Sequence, residues 1–143
     1  MRDDGASPLM LPMDLPVGRI ALLRDPQGAP VYVMRPIPPA GADATTSDVF
    51  SPDRPGHVRW NELACGDPLA AIAFYTRHFG WTQEGALEMG ELGEYRFLQR
   101  EGQMIGAVMP NTPTQPSAAW QFYIGVTDID LAVAAVTRRG GTL

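Results

Sequence analysis

The alternation of apolar and polar residues divides the C-terminal part of the chain into segments of strand and helix length. Residues 57–65 alternate large and small side chains over a strand-length run. Asp67 followed by Pro68 is typical of a helix N-cap with proline at the first helical position, where no amide hydrogen is needed. Apolar residues then recur at helical spacing as far as Phe79, and Gly80 suits the left-handed residue that ends a helix. The pattern predicts a strand that leads directly into a helix.

Three further strands are predicted after this helix. The weakest strand pattern covers residues 86–89, and clearer strand-like runs cover residues 95–98 and 104–109. Glu101-Gly102 separates the last two runs and is a tight-turn signal. The predicted order of elements is therefore β-α-β-β-β.

A second strand and helix are predicted from Trp120 onwards. Phe122 and Ile124 alternate with Gln121 and Tyr123, so we expect one apolar face that packs under a helix and another face that is free for a pocket. Asp128 can cap the next helix. The apolar stripe of that helix consists of Ile129, Ala132, Val133 and Val136, with Arg138, Arg139, Gly140 and Gly141 at its end.

The N-terminal part of the chain predicts a separate pair of strands. Residues 18–23 and 31–34 read as short strands around a turn at residues 25–29. Residues 35–56 are rich in proline and small residues, which is typical of an extended, unpacked linker. The predicted organisation is therefore a hairpin segment (1–34), a linker (35–56) and a β-α-β-β-β unit with the start of a second β-α unit (57–143).

These segments together resemble a known superfamily. The Trp60-Asn-Glu-Leu strand, the Phe74-Tyr75 and Phe79-Gly80-Trp81 sequences and the Asp25-Pro-Gln-Gly-Ala turn resemble the vicinal-oxygen-chelate superfamily of glyoxalases, bleomycin-resistance proteins and extradiol dioxygenases. The resemblance implies an α+β fold in which paired βαβββ units form a curled mixed sheet. The N-terminal hairpin resembles the element that closes a module in this family.

The order of hairpin, linker and strand resembles the centre of a tandem two-module member, and two architectures remain open. In one, the chain is an excerpt of a longer tandem protein. In the other, the N-terminal hairpin closes the sheet in permuted order or is donated by a second copy. Because an incomplete sheet exposes edge strands, we expect a homodimer, with strand exchange as one form of it.

Composition limits the classes of partner and the location. A length of 143 residues with 45% hydrophobic content is enough for one sizeable core. The net charge of −5 argues against nucleic acid or an anionic membrane as the partner. The sequence has no long apolar run, and its single cysteine, Cys65, is expected to be buried, so we predict a cytoplasmic protein. His57 and His78 are expected at the surface or in helix packing.

The resemblance implies a divalent metal ion held by His, Glu or Gln side chains, one from each of four strands. Trp60 and Tyr32 occupy two of the corresponding positions, and residues 104–109 offer no ligand. We therefore expect no intact metal site and no cofactor. The alternative is a metal-dependent lyase or dioxygenase in which Glu62 and Gln121 hold the ion.

Aromatic residues on the predicted strands suggest a pocket for a small planar or amphipathic molecule. Strand alternation predicts that they share the concave face of a curled sheet, with one carboxylate among them. We therefore expect a small-molecule-binding member of the superfamily, and the sequence leaves open whether it is catalytic. A further alternative is a structural half of a tandem enzyme. The predicted pocket residues are Trp60, Glu62, Tyr95, Phe97, Gln121, Tyr123 and Tyr32.

Overall fold

The computed structural model describes residues 1–38, 40–41 and 47–142 and has an α+β fold, as predicted. It contains two α-helices, two sheets and two single-turn 3-10 helices (Arg2–Asp4 and Gly90–Leu92). The helices are α1 (Pro68–Phe79) and α2 (Ile129–Arg138). The strands are β1 (Ser7–Leu15), β2 (Gly18–Arg24), β3 (Pro30–Pro36), β4 (Val58–Cys65), β5 (Thr82–Glu88), β6 (Glu94–Arg100), β7 (Gln103–Pro110) and β8 (Ala119–Ile124).

The larger sheet contains the predicted βαβββ unit. Its strand order is β5-β6-β7-β4-β8. The strand β4 pairs in parallel with β7 and antiparallel with β8, while β5, β6 and β7 form an antiparallel meander. The weakest predicted strand, at residues 86–89, corresponds to β5, which begins four residues earlier. The chain thus follows β4, α1, β5, β6 and β7 in the predicted order.

The first α-helix begins and ends as its sequence signals predict. The Asp67 carboxylate accepts a hydrogen bond from the Ala70 amide at 3.0 Å, and Pro68 fills the first helical position. Gly80 ends the helix with a φ of 67°, in the left-handed region. One side of α1 is buried in the core, which consists of Ala71, Phe74 and Tyr75 with Leu63, Cys65, Leu98 and Val108 from the larger sheet and Ala6, Leu23 and Ala29 from the N-terminal segment.

The N-terminal segment forms a three-stranded antiparallel sheet, one strand more than the sequence indicates. The strands β2 and β3 correspond to the predicted hairpin, and β1 pairs with β2 on the side away from β3. Pro8 and Pro12 interrupt the strand pattern of β1 and make it hard to recognise. An edge strand tolerates proline because half of its amides need no partner in the sheet.

A buried carboxylate joins the N-terminal sheet to α1 and β8. Asp25 Oδ1 accepts hydrogen bonds from the Gln27 and Ala29 amides at 2.9 and 2.8 Å, which holds the turn between β2 and β3. Asp25 Oδ2 accepts a hydrogen bond from the Tyr75 hydroxyl at 2.8 Å, and that hydroxyl accepts one from Trp120 Nε1 at 2.8 Å. Burial, with the charge of Asp25, raises the pKa of Tyr75 well above its ordinary value, so the phenol remains a donor.

The end of the predicted linker lies along the start of β4. The Ser51 amide donates to the Val58 carbonyl at 2.9 Å, and the Val58 amide donates to the Val49 carbonyl at 3.1 Å. Residues 39 and 42–46 of the same linker lie outside the described residues. The division of the chain into hairpin, linker and βαβββ segments remains a prediction.

The apolar surface of β8 and α2 is not covered, contrary to the expected packing under a helix. Phe122 is 68% exposed and Leu131 is 66% exposed, and no residue of α2 is buried. The strands β3 and β8 approach each other, but the described residues form no hydrogen-bonded ladder between them. Among the described residues, β8 is therefore an edge strand of the larger sheet. Neither α-helix has the length and apolar character needed to cross a membrane within the described ranges.

Cys65 is fully buried in the core, as expected. Burial raises the pKa of the Cys65 thiol to about 12, and the charge of Asp25 acts in the same direction. The thiol is therefore protonated at neutral pH and has the character of a small core side chain.

We predict that Tyr75→Phe lowers the free energy of unfolding by about 2 to 3 kcal/mol. The substitution removes the hydroxyl that donates to the buried Asp25 carboxylate and accepts from Trp120 Nε1. Tyr32→Phe is the matched control, since Tyr32 is 63% exposed, and should change stability by less than about 0.5 kcal/mol. Urea denaturation measures both. Equal stabilities of the two variants would show that the buried hydrogen bonds make no net contribution.

The central strand pair requires a glycine in β7. A Cβ added to Gly106 would lie 1.9 Å from the Asn61 carbonyl oxygen of β4. We predict that Gly106→Ala forces β4 and β7 apart and lowers the free energy of unfolding by at least about 2 kcal/mol.

Gly66→Ala is the control for that substitution. The nearest atom to an added Cβ at Gly66 is Gln27 Oε1 at 3.8 Å, an ordinary contact. Its stability in urea should stay within about 0.5 kcal/mol of the parent protein. A Gly106→Ala protein as stable as the Gly66→Ala protein would mean that the two strands separate at little cost.

Candidate functional site

The two faces of β4 have different neighbours. Leu63 and Cys65 are fully buried in the core on the side of α1. Trp60 and Glu62 alternate with them and therefore point to the opposite face of the sheet, where they are half-buried. The same strand thus supplies both the core and a polar, aromatic surface.

A small residue of β7 lies beside Glu62 on this face. The register of the sheet aligns Glu62 of β4 with Ala107 of β7, and Ala107 with Phe97 of β6. Tyr95 precedes Phe97 by two residues and lies on the same face. The Tyr95 hydroxyl reaches across β7 to the Glu62 carboxylate at 2.8 Å, on the face where β7 carries the small side chain of Ala107.

Glu62 is the centre of a hydrogen-bond network on this face. Its Oε2 atom accepts hydrogen bonds from the Tyr95 hydroxyl at 2.8 Å and from the Tyr123 hydroxyl at 2.9 Å. The Tyr95 hydroxyl in turn accepts a hydrogen bond from Trp60 Nε1 at 2.6 Å. The network therefore joins side chains from three strands, β4, β6 and β8.

Aromatic rings surround the network. Trp60 lies nearly parallel to Tyr95, with ring centroids 6.5 Å apart, and meets Phe97 edge-on at 6.2 Å. Tyr95 and Phe97 also meet edge-on, at 6.0 Å. We call Trp60, Glu62, Tyr95, Phe97 and Tyr123 the Glu62 cluster.

The two tyrosines of the Glu62 cluster are hydrogen-bond donors over the whole physiological pH range. Burial, followed by the hydrogen bond to Glu62, raises the pKa of Tyr95 well above its ordinary value. The same two causes raise the pKa of Tyr123. Ionising either phenol would place a second negative charge beside the Glu62 carboxylate, which is unfavourable.

The structure joins five of the seven predicted site residues by hydrogen bonds and ring contacts, and the other two are not part of this network. Gln121 lies opposite Glu62 in the register of β4 and β8, but its amide nitrogen donates to the side chain of Gln115. Tyr32 lies on β3 in the N-terminal sheet, and within the described part of the chain it makes no ring contact or hydrogen bond with the Glu62 cluster.

The donors on this face do not match the metal ligand set implied by the family resemblance. Glu62 and Gln121 are the two candidates, and Trp60 offers no ligand atom for a divalent ion. In the described ranges, no group of three His, Cys, Asp or Glu side chains converges on one point. One carboxylate and one amide are fewer protein donors than the four that the resemblance implies.

Both histidines make local contacts away from the Glu62 cluster. The ring of His57 contacts the Pro55 carbonyl at 2.9 Å. His78 Nε2 lies 3.0 Å from the Asp4 carboxylate, which also pairs with Arg77. The pKa of Asp4 is lowered: partial desolvation raises it, but the charge of Arg77 and the hydrogen bonds from His78 and Arg77 outweigh that effect. These residues attach the N-terminus to the end of α1.

No sequence pattern indicates the contact between Asp25, Tyr75 and Trp120. The turn at residues 25–29 predicts only a hairpin, and the patterns around Tyr75 and Trp120 predict a helix and a strand. Asp25 and Tyr75 are 50 residues apart in the chain, so no local pattern connects them.

Comparison with curated proteins identifies relatives for most of the chain. It is 34% identical over 91 residues to "Putative glyoxylase CFP32" of Mycobacterium bovis and to the protein of the same name in Mycobacterium tuberculosis, covering 62% of this chain and 35% of each relative. It is 29% identical over 147 residues to the anthracycline biosynthesis protein DauV of Streptomyces sp. strain C5, covering 97% of this chain and 48% of that relative. The chain thus spans about a third to a half of the length of these proteins.

A family model also matches the chain. The model of the Glyoxalase/Bleomycin resistance protein/Dioxygenase superfamily matches residues 54–143. This segment contains the βαβββ unit, β8, α2 and every residue of the Glu62 cluster. Because the match covers more than half of the chain and agrees with the fold, the protein belongs to the Glyoxalase/Bleomycin resistance protein/Dioxygenase superfamily.

Proposed function

We propose that the protein is a small-molecule-binding member of the superfamily and that the Glu62 cluster is its binding surface. The observation that carries the proposal is the convergence of the Tyr95 and Tyr123 hydroxyls on the Glu62 carboxylate, with Trp60 hydrogen-bonded to Tyr95, on the sheet face opposite α1. Aromatic side chains with a few fixed polar groups are the usual lining of small-molecule sites.

The accessibility of the surface also supports binding. Tyr123 is 46% exposed, and Trp60, Glu62 and Tyr95 are half-buried, so each is held by neighbours and still reaches solvent. The carboxylate and hydroxyls supply orientation, and the ring faces supply apolar area for a planar molecule. One relative is named as an anthracycline biosynthesis protein, which is consistent with small-molecule chemistry in the family.

Binding can be tested at one indole signal. We expect 2-naphthalenemethanol, a neutral planar probe, to shift the Nε1–H resonance of Trp60 in a ¹⁵N spectrum, because that indole is part of the Glu62 cluster. The Nε1–H resonance of Trp120, which donates to Tyr75, should not move and is the internal control. Trp60→Phe assigns the signal. Shifts confined to Trp120 or to other residues would contradict the proposed surface.

Metal content separates this proposal from a metal-dependent lyase or dioxygenase that uses Glu62 and Gln121. After dialysis against trace Fe, Mn, Ni and Zn, elemental mass spectrometry of tag-free protein should find less than about a tenth of an equivalent, because two protein donors bind weakly. Glu62→Ala is the control. Nearly stoichiometric metal that is lost in Glu62→Ala would favour the metal-dependent enzyme instead.

We also propose that a second copy of the chain covers the exposed surface of β8 and α2. Its apolar members are Phe122, Ile124, Ile129, Leu131 and Val136. Exposed apolar residues beside a strand edge that is unpaired within the described residues are typical of an association surface, and in a two-fold symmetric dimer such a surface packs against the same surface of the second copy. A cytoplasmic location remains a prediction that depends on the single buried thiol.

Light scattering at several concentrations tests the association. We predict twice the mass of the chain for the parent protein and a shift toward the monomer for Leu131→Glu, which places a charge in the patch. Leu69→Glu on α1 is the matched control, because Leu69 is also an exposed helical leucine outside the patch. A parent protein that is monomeric at every concentration would rule out the dimer.

A further inference from the structure

We propose that the ligand of the Glu62 cluster is an organic cation, in which a protonated amine or quaternary ammonium group is joined to a planar apolar ring system. The inference deepens the proposed function and depends on it. It follows from an unmatched charge and from the rings that surround it.

The Glu62 carboxylate has no cationic partner among the residues that the structure describes. Ion pairs within those residues engage Asp4, Asp14, Asp48, Glu94 and Glu101, and none of them includes Glu62. The nearest arginine in the sequence, Arg59, directs its guanidinium to the Asp53 carbonyl at 2.9 Å. Glu62 is therefore a half-buried acceptor whose protein partners are two neutral phenols.

One oxygen of this carboxylate is left for a ligand. Both phenols donate to Oε2, and Oε1 has no hydrogen-bond partner in the described part of the chain. Oε1 is not fully enclosed by the protein, so solvent reaches it. Two hydrogen bonds offset part of the desolvation of a carboxylate, and a cation at Oε1 would supply the missing opposite charge.

The surrounding rings favour an organic cation over a small anion. The faces of Trp60, Tyr95 and Tyr123 carry negative charge density, which attracts ammonium groups within about 6 Å. An anion would meet the Glu62 carboxylate and those ring faces, and the phenol protons that could bind it are already donated to Oε2. The net charge of −5 adds a long-range attraction for cations.

The experiment compares three probes of the same shape and different charge. These are 2-naphthylmethylammonium, 2-naphthalenemethanol and 2-naphthoate, each titrated against the full chain while the Trp60 Nε1–H resonance is followed. We expect the ammonium probe to bind about tenfold more tightly than the alcohol, with the carboxylate probe weakest. The preference should decrease as NaCl is raised, because exposed charges are screened.

Glu62→Gln is the decisive variant because it keeps the size of the side chain and an acceptor oxygen while removing the charge. The ammonium affinity should fall about tenfold and the alcohol affinity should remain within about twofold of the parent value. Glu101→Gln changes the net charge equally at a turn residue whose side chain is 80% exposed, and should leave both affinities unchanged. Tyr123→Phe removes one hydrogen-bond donor and keeps the carboxylate, so its preference for the ammonium probe should persist. This variant tests the role of the charge if Glu62→Gln folds poorly.

The outcomes distinguish the two proposals. If the alcohol binds as tightly as the ammonium probe and Glu62→Gln has no effect, the organic-cation assignment is wrong and the small-molecule surface stands. If none of the three probes shifts the Trp60 resonance, the binding function of the Glu62 cluster is itself wrong.

Discussion

The buried carboxylate of Asp25 connects the separate parts of this chain. It holds the turn of the N-terminal sheet through two backbone amides and receives the Tyr75 hydroxyl from α1, which in turn accepts from Trp120 of β8. A carboxylate removed from water is costly unless its oxygens are hydrogen-bonded, so the contact fixes where the three elements meet. The turn residue Ala29 is buried in the same core as Tyr75 of α1.

Alternate side chains of β4 serve the core and the candidate site on opposite faces of the larger sheet. Leu63 and Cys65 complete the core below α1, while Trp60 and Glu62 extend from the other face. Gly106 allows β4 to approach β7 closely, since a Cβ there would meet the Asn61 carbonyl, and the Tyr95 hydroxyl reaches Glu62 across the same strand, where the next residue is the small Ala107. The site is therefore a consequence of which small residues occupy one strand.

Local patterns were sufficient for the elements and for most of the candidate site. Asp67, Pro68 and Gly80 fix the ends of α1 through hydrogen bonds and φ preferences that act within a few residues. Alternation also predicts the shared face of the six pocket residues that lie on the larger sheet. It failed for Tyr32, because alternation fixes a face within a sheet and cannot tell which sheet a strand joins. It also missed β1, whose prolines are tolerated only at an edge.

The sequence by itself determined the succession of strands and helices, the ends of α1, the face on which Glu62 lies and the family to which the chain belongs. These features depend on residues close together in the chain, where backbone preference and side-chain periodicity act directly. Only the tertiary structure decided that Asp25 meets Tyr75, that Tyr95 and Tyr123 both donate to Glu62, and that the apolar residues of β8 and α2 are exposed. Such contacts join residues 33 to 61 positions apart, and their partners are chosen by packing and by the hydrogen bonds that buried polar groups require.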